Sequence, residues 1–464
     1  MGVAKKRKFR LLDAVLASVC IVLVVESAAP AAAIGNTQYI WWIAMLLLFF
    51  LPYGLISSEL GTTYKGEGGL YDWVKRAFGR KNGARVAWFY WINFPLWMAS
   101  LSVLFTTVMT TIFPQTAEVG PWLLAAQLGF IWFVIFASNF RITDSKYLIN
   151  SGAIIKALIM IVIGGLGVYA LMTGSGVGQT KAVAGGGSFL GGLSFVAIIL
   201  FNFMGFEVVA SFADDMEKPE KEIPKALALG GVLIAAFYLF AAFGMGVAVS
   251  ASELSLDSGL IDSFALLVNQ PTTSLAVVVM GVCFMYTMLA NLISWSPGIN
   301  YVAMYAARDG SLPKMFASAN KNGMPKGANV INGVLASVLV VIAYVVKQIN
   351  PDFADYFWTF FALNVFTFLM SYVFLFPTFL KLRKIDPDKR RPFKVKGGSF
   401  VLNTLTYVPL LLLVAALIFT CLPYDSEISS LKPDWALISG AAVAIAIGEV
   451  MAFMAVKRQK VNNK

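Results

Sequence analysis

The chain has 464 residues, 58% of them hydrophobic and 13% charged, with no histidine, three cysteines and a formal charge of +11. A soluble domain carries about a quarter of its residues as Asp, Glu, Lys or Arg, so this balance excludes a soluble enzyme, a disulfide-framed secreted domain and a disordered tail. Without histidine there is no imidazole catalysis and no common zinc site, and neither a metal ion nor a cofactor is expected.

Apolar stretches long enough to cross a bilayer, roughly 20 residues each, recur along the chain. They predict an all-α integral membrane protein with twelve spans, near 11–35, 39–62, 85–113, 119–140, 147–173, 191–215, 225–249, 273–306, 328–347, 353–381, 401–422 and 434–456. With a cytoplasmic N-terminus, only Lys181, Lys347 and Lys432 of the 36 Lys and Arg fall outside, and Lys156 falls within a span. That asymmetry follows the positive-inside rule, so both termini are expected in the cytoplasm and the protein in the cell's inner (plasma) membrane. The basic runs Lys5-Lys6-Arg7-Lys8 and Lys389-Arg390-Arg391 then read as topology signals with some attraction to anionic lipid, and nucleic acid is not an expected partner. The basic start is expected to stay on the chain, since no small-residue cleavage pattern follows it. Cys20, Cys283 and Cys421 fall in apolar spans and are expected as buried thiols.

The connections are too short to hold a second domain, and the chain reads as one polytopic unit over 1–464. The loops and spans show no enzyme-like cluster, which leaves transporter, channel and receptor. A channel needs repeated filter loops or a continuous polar pore, neither of which is visible. Charged residues inside spans are costly, so each is a functional candidate. Glu26 ends a long apolar run, and Pro30 just beyond it removes a backbone donor and disrupts the helix. Two readings stand there: a proline kink with a protonated Glu against a neighbouring helix, or a broken helix lining a cavity. Glu59 and Glu67 flank the cytoplasmic end of the second span, where loop or gate roles are expected. On the third span Trp91, Asn93 and Trp97 surround Pro95, and Trp97 stands nearest the midplane. Lys156, deep in the fifth span, either snorkels or pairs with a carbonyl, serves as a fixed cation, or loads a proton if burial lowers its affinity for one.

The sixth span carries a second break, Phe201-Asn202-Phe203-Met204-Gly205-Phe206-Glu207, where Gly205 permits close approach and Glu207 is deep. Interrupted helices at the start of each half point to an inverted-repeat transporter site. Spans over 11–173 form one repeat and spans over 191–381 the other, with two extra helices over 401–456. Asp214, Asp215 and Glu217 read as a solvated acidic face. Trp295 lies in the eighth span, and Tyr356, Trp358 and Asn364 on the tenth read either as an outer gate or as packing.

The segments Leu51-Pro52-Tyr53-Gly54-Leu55, Gly66-Glu67-Gly68-Gly69-Leu70-Tyr71-Asp72-Trp73, Gly205-Phe206-Glu207 with Glu217-Lys218-Pro219, and Trp295-Ser296-Pro297-Gly298 carry a resemblance. Over nearly its whole length the chain resembles the amino acid–polyamine–organocation transporter superfamily, most of all its glutamate:GABA antiporters and polyamine permeases. The resemblance implies a leucine-transporter-like fold of five plus five inverted spans with helices one and six broken. It implies that the break at Glu26, Ser27, Ala28 and Ala29, together with Trp295, contacts substrate, and the second break, with the depth of Trp97, adds Trp97, Phe201, Asn202 and Gly205 as candidates. It implies proton sensing or gating for Glu207 and matches Lys156 to a lysine that replaces sodium, while Glu59 and Tyr356 join them as gate candidates by position. The first-helix break in such transporters often reads Gly-Ser-Gly. Here it begins with an acid, which favours an ammonium or guanidinium ligand over a carboxylate.

The expectation is therefore an antiporter for polyamines or decarboxylated amino acids of the agmatine and putrescine type. The alternative is a proton-coupled amino acid permease or amino acid/amine exchanger. Expected partners are a small cationic or zwitterionic substrate and membrane lipid, with a second copy of the chain as a candidate.

Overall fold

The computed structural model describes residues 11–64, 66, 68–117, 120–140, 146–174, 196–206, 218–250, 253–349, 356–425 and 430–462. Nearly all of them are helical, joined by turns and one small antiparallel hairpin of β1 (Tyr424–Asp425) and β2 (Ser430–Leu431). Nine helices among the described residues are long and apolar enough to cross a membrane, ten if the bent pair at the start of the chain is one span. A shorter apolar helix covers Pro121–Ala137.

The first helix shows how the sequence breaks a span. α1 (Leu11–Val22) stops, Val24 turns to extended φ −103° and ψ 92°, Val25–Ser27 make one tight turn, and α2 (Ala28–Ala32) resumes. The two parts meet at a bend of 46°. Pro30 has no N–H to offer the Glu26 carbonyl, and its ring crowds that same carbonyl, so one continuous helix is not available here.

α3 (Gln38–Met45) runs into α4 (Leu51–Thr63) through a π-helical turn at Leu46–Phe50. The wider turn accommodates Pro52, whose ring would otherwise press on the preceding turn.

α5 (Gly69–Ile112) has 44 residues, and a non-helical Gly79 at φ 82° interrupts it. A straight helix of that length would span about 66 Å, twice a hydrocarbon core. The glycine instead sets off a short lead segment, 69–78, from the membrane-crossing part.

α6 (Gly120–Ala137) and α7 (Lys146–Thr173) follow, then α8 (Val196–Asn202), which ends at the second break. Gly205 sits at φ +99°, and a Cβ there would lie 2.5 Å from the Trp295 ring. Only glycine allows both the backbone conformation and that contact.

The second half continues with α9 (Pro219–Ala248), α10 (Gly259–Leu267), α11 (Leu275–Arg308) and α12 (Lys326–Ile349). It ends with α13 (Tyr356–Tyr372), α14 (Leu375–Ile385), α15 (Ser399–Cys421) and α16 (Trp435–Asn462).

α13 and α11 pack along α5, and α1 lies between α9 and α7. α7 and α9 meet where Gly167 faces Gly244, with the added Cβ of one 2.6 Å from the Cα of the other, as small residues permit in helix pairs in lipid. Asn332 donates to Asn300, Asn300 to Ser296, Ser296 to Asn329, and Asn329 to the Ile135 carbonyl. That buried chain ties α11, α12 and α6 together.

Large apolar side chains such as Ile40, Phe136, Leu411 and Phe453 stand exposed on the outer surface, as a lipid-facing shell requires. Of the cysteines, Cys20 is buried, Cys283 and Cys421 are half-buried, and all three are free thiols.

Candidate functional site

A helix broken inside a membrane leaves backbone groups that need partners. The chain supplies them one by one around residues 20–27. The Lys156 ammonium, fully buried, donates to the carbonyls of Cys20 and Leu23, each at 2.6 Å. Trp295 Nε1 donates to the Ile21 carbonyl at 2.6 Å. The Tyr238 hydroxyl donates to Val24 O at 2.7 Å and accepts from Val24 N at 2.9 Å. Ser27 Oγ lies 2.7 Å from Asn202 Oδ1 and 3.0 Å from the Tyr238 hydroxyl, and so joins the first break to the second.

Glu26 stands apart from this accounting. Its side chain is 3% exposed, and neither carboxylate oxygen has a hydrogen-bond partner among the described residues. The Lys156 ammonium attracts it electrostatically but spends its hydrogen bonds on the backbone.

An aromatic cluster is built from the same elements and from α5 and α13. Trp97 packs 4.8 Å from Phe201 and 6.4 Å from Trp295, ring centre to ring centre. Phe368 meets Trp295 and Phe201 edge-on at 5.6 and 5.7 Å. The indole N–H of Trp97 and the amide nitrogen of Asn202 are buried without partners among the described residues. The region thus combines a carboxyl group without a hydrogen-bond partner and aromatic faces, which suit an organic cation, with two spare N–H donors, which suit an acceptor atom.

Most of the residues expected to bind substrate are together here. Glu26, Ser27, Asn202, Gly205 and Trp295 sit at the two breaks, Trp97 and Phe201 form the aromatic wall, and Ala28 and Ala29 are the buried first turn of α2. Lys156 holds the break rather than snorkelling outward. Glu207, with Glu67, Asp214, Asp215 and Glu217, lies outside the described residues. Tyr356 opens α13, and its side chain is likewise outside the description. Trp91 packs edge-on against Phe316 at 4.7 Å, and the Asn93 amide bonds the Tyr90 carbonyl. The Asn364 amide is buried without a partner among the described residues.

Two contributors escape sequence reading. Tyr238, on α9, satisfies both backbone groups of Val24, and Trp42 stacks on it at 4.8 Å. An aromatic in an apolar span gives no sign of such a bond. The one available signal is that a buried tyrosine hydroxyl has to find a partner.

Glu59 belongs to a different cluster. It is bound by Arg383 and Arg391 and accepts the Val395 amide at 2.7 Å. The ends of α4, α11 and α14 and the lead segment of α5 gather there. Asp309 takes Tyr71, Lys75 and Arg80, while Asp386 takes Arg76 at 2.7 Å and the Tyr64 hydroxyl at 2.8 Å.

A lipid-facing helical bundle with a buried ligand-type site between two helix breaks has the architecture of a membrane transporter. The chain belongs to the amino acid permease family, whose profile matches residues 9–447. It is 46% identical to a probable agmatine/putrescine antiporter, AguD, of Lactococcus lactis subsp. lactis, covering 96% of this chain and 95% of that one. It is 26% identical to the lysine-specific permease LysP of Lactococcus lactis subsp. cremoris, over 65% of this chain and 60% of that one. It is also 22% identical to a glutamate/gamma-aminobutyrate antiporter of Lactococcus lactis subsp. lactis, over 81% and 76%. These relatives are transporters rather than enzymes, and the chain is a multi-pass membrane transporter of the same kind.

Proposed function

We propose that the protein exchanges small organic dications, of the agmatine and putrescine type, across the cytoplasmic membrane. The observation that carries this reading is the Glu26 carboxylate, buried at the first helix break with no hydrogen-bond partner on another described residue, while an aromatic wall is built around the second break. An ammonium or guanidinium group supplies the missing charge and donors at low dielectric, and the methylene chain lies against Trp97, Phe201 and Trp295. The relative at 46% identity, named for agmatine and putrescine, supports the same substrate class.

The mechanism in this reading is alternating access in a twelve-span, five-plus-five inverted repeat with cytoplasmic termini. The halves move about the two breaks. An empty carrier leaves Glu26 desolvated and unpaired, which disfavours its reorientation, and a bound cation relieves that cost. Exchange follows from the difference. Lys156, holding the Cys20 and Leu23 carbonyls, does the work of a bound cation, so transport is independent of sodium. Glu207 and Tyr356 serve the gates, and Glu59 anchors the cytoplasmic one.

Counterflow in proteoliposomes tests the reading. Vesicles loaded with unlabelled agmatine should accelerate uptake of labelled putrescine by the wild type, and Glu26→Gln should abolish it while the protein stays folded. Wild-type uptake in that variant would overturn the assignment of Glu26.

A further inference from the structure

Three side chains among the described residues have two terminal polar atoms buried with no hydrogen-bond partner on another described residue: Glu26, Asn364 and Asn291. The first two stand out in the sequence as a deep charge and a polar residue on the tenth span. Asn291, fully buried on α11, does not. A carboxamide carries two N–H donors and a carbonyl with two lone pairs, and each group left unpaired away from water is costly. Leucine would fill the same place in a membrane helix without that cost, so packing alone does not account for the amide.

Register fixes what lies beside it. Ser294 Oγ is 3.4 Å from Cys20 Sγ, and Trp295 Nε1 bonds the Ile21 carbonyl. Asn291 precedes these two residues by three and four positions. Its direction on the helix therefore falls between theirs, toward α1, one turn nearer the start of α11. The first helix runs toward that same end. Beyond its break α2 meets α10, the helix that leads into α11, where a Cβ on Gly259 would lie 3.3 Å from the Ala29 Cβ. One turn past Ile21 on this path comes the Val25–Ser27 turn, and α11 packs against it. Asn291 thus adjoins the turn that carries Glu26.

A carboxylate and a carboxamide on adjoining elements make a set of acceptors for one cationic head. When Glu26 takes two N–H groups, an ammonium keeps one donor and a guanidinium keeps three. The Asn291 oxygen accepts up to two of those, so it has more to offer the guanidinium. The lone pairs that the carboxylate has left over suit the N–H groups of the amide.

We propose that Asn291 sets specificity among organic cations: its carbonyl oxygen accepts from the head that Glu26 holds and favours a guanidinium over an ammonium. The proposal rests on the reading of Glu26 as the acid that pairs with substrate.

The test is counterflow of the full chain in proteoliposomes, with half-saturation read separately for agmatine and for putrescine, beside the thermal midpoint in detergent. In Asn291→Leu, agmatine held by its guanidinium loses up to two hydrogen bonds from a charged group and putrescine loses one. At about tenfold for each bond, agmatine should weaken about 100-fold and putrescine about tenfold, which moves their ratio about tenfold toward putrescine. The ligand-free midpoint should equal or exceed that of the wild type, because two unpartnered buried atoms are gone. Asn291→Ala gives the same ratio test if leucine overfills the site and the protein does not fold. A residue that only packs would lower the midpoint and weaken both substrates alike. The proposal is overturned if the two substrates weaken equally, if neither changes, or if the ratio moves toward agmatine. Normal wild-type exchange with an unmoved ratio in the variants overturns the role of Asn291 alone. A wild type that exchanges neither substrate overturns that role together with the reading of Glu26 beneath it.

Discussion

Glu26 and Glu59 are both almost fully buried, at 3% and 1% exposure, yet their surroundings are opposite. Glu59 has two guanidinium groups and a backbone amide on its oxygens, whereas Glu26 has no hydrogen bond from any other described residue. The chain can evidently satisfy a deep carboxylate when the role is to hold helices together. The lack of partners at Glu26 is therefore a property of that place, where the Lys156 ammonium and the Tyr238 hydroxyl are committed to the broken backbone. Desolvating an unpaired charge costs several kcal/mol, and a cationic ligand that pairs with it recovers part of that cost. In the proposed function, Glu59 holds the bundle together and Glu26 takes part in exchange.

The contrast is broken or upheld first by removing partners. Arg383→Ala leaves Glu59 short of its main cation and should lower stability by about 3–5 kcal/mol, read as a large fall in thermal midpoint in detergent. Glu26→Gln removes an unpaired charge, so its midpoint should match or exceed that of the wild type, while stabilisation by putrescine disappears. If Glu26→Gln proved as unstable as Arg383→Ala, Glu26 would be a structural acid like Glu59.

The break itself comes next. Gly205→Ala would force a Cβ toward the Trp295 ring, 2.5 Å away, in a conformation that L residues rarely adopt. Strain of that kind is of order 1–3 kcal/mol, and counterflow should fall more than stability does because Trp295 lies in the aromatic wall. Tyr238→Phe deletes the hydroxyl that serves Val24 and Ser27, at a cost of about 1–3 kcal/mol for the groups left unsatisfied. Its signature is slower exchange with a lower midpoint, with Glu26 still present. A variant with normal exchange would show that the Val24 backbone needs no such support.

Much of this site is legible in the sequence because breaks and deep charges are local signals. Pro30 after Glu26, Gly205 in an apolar run, and Lys156 far from either end of its span each violate the ordinary pattern of a membrane helix. Trp97, Phe201 and Trp295 follow from their depth and from family resemblance. Tyr238 and Trp42 do not, since an aromatic in an apolar span looks the same whether it faces lipid, packs or donates a hydrogen bond. The partners of Glu59 are equally hidden: Arg383 is 324 residues away and sits in a basic cluster that reads as a topology signal. The same holds for the lead segment of α5. Its Lys75, Arg76 and Arg80 mark a cytoplasmic edge, but the acids they clasp come from the ends of α11 and α14. Those pairings are set by how the bundle closes.

The smallest expected effect concerns the most exposed member of that clasp. Hydrogen bonds from Arg76 hold the Asp386 carboxyl at about 2, below the ordinary aspartate value of 3.8, with Tyr64 and the charge of Lys389 adding to the shift. A carboxyl depressed in the folded state stabilises the fold fully above its unfolded value and loses that contribution as pH falls through the folded one. The window for Asp386 therefore lies between about pH 4 and pH 2, and neutral pH leaves the clasp intact. Arg76 is half-exposed, so solvent screening limits the pair to about 0–1 kcal/mol. Asp386→Asn should lower the thermal midpoint slightly at pH 7 and flatten the acid limb of the stability profile below pH 4. A loss as large as that of Arg383→Ala would show that Asp386, despite the exposure of its partner Arg76, belongs with Glu59 among the acids that hold the bundle together.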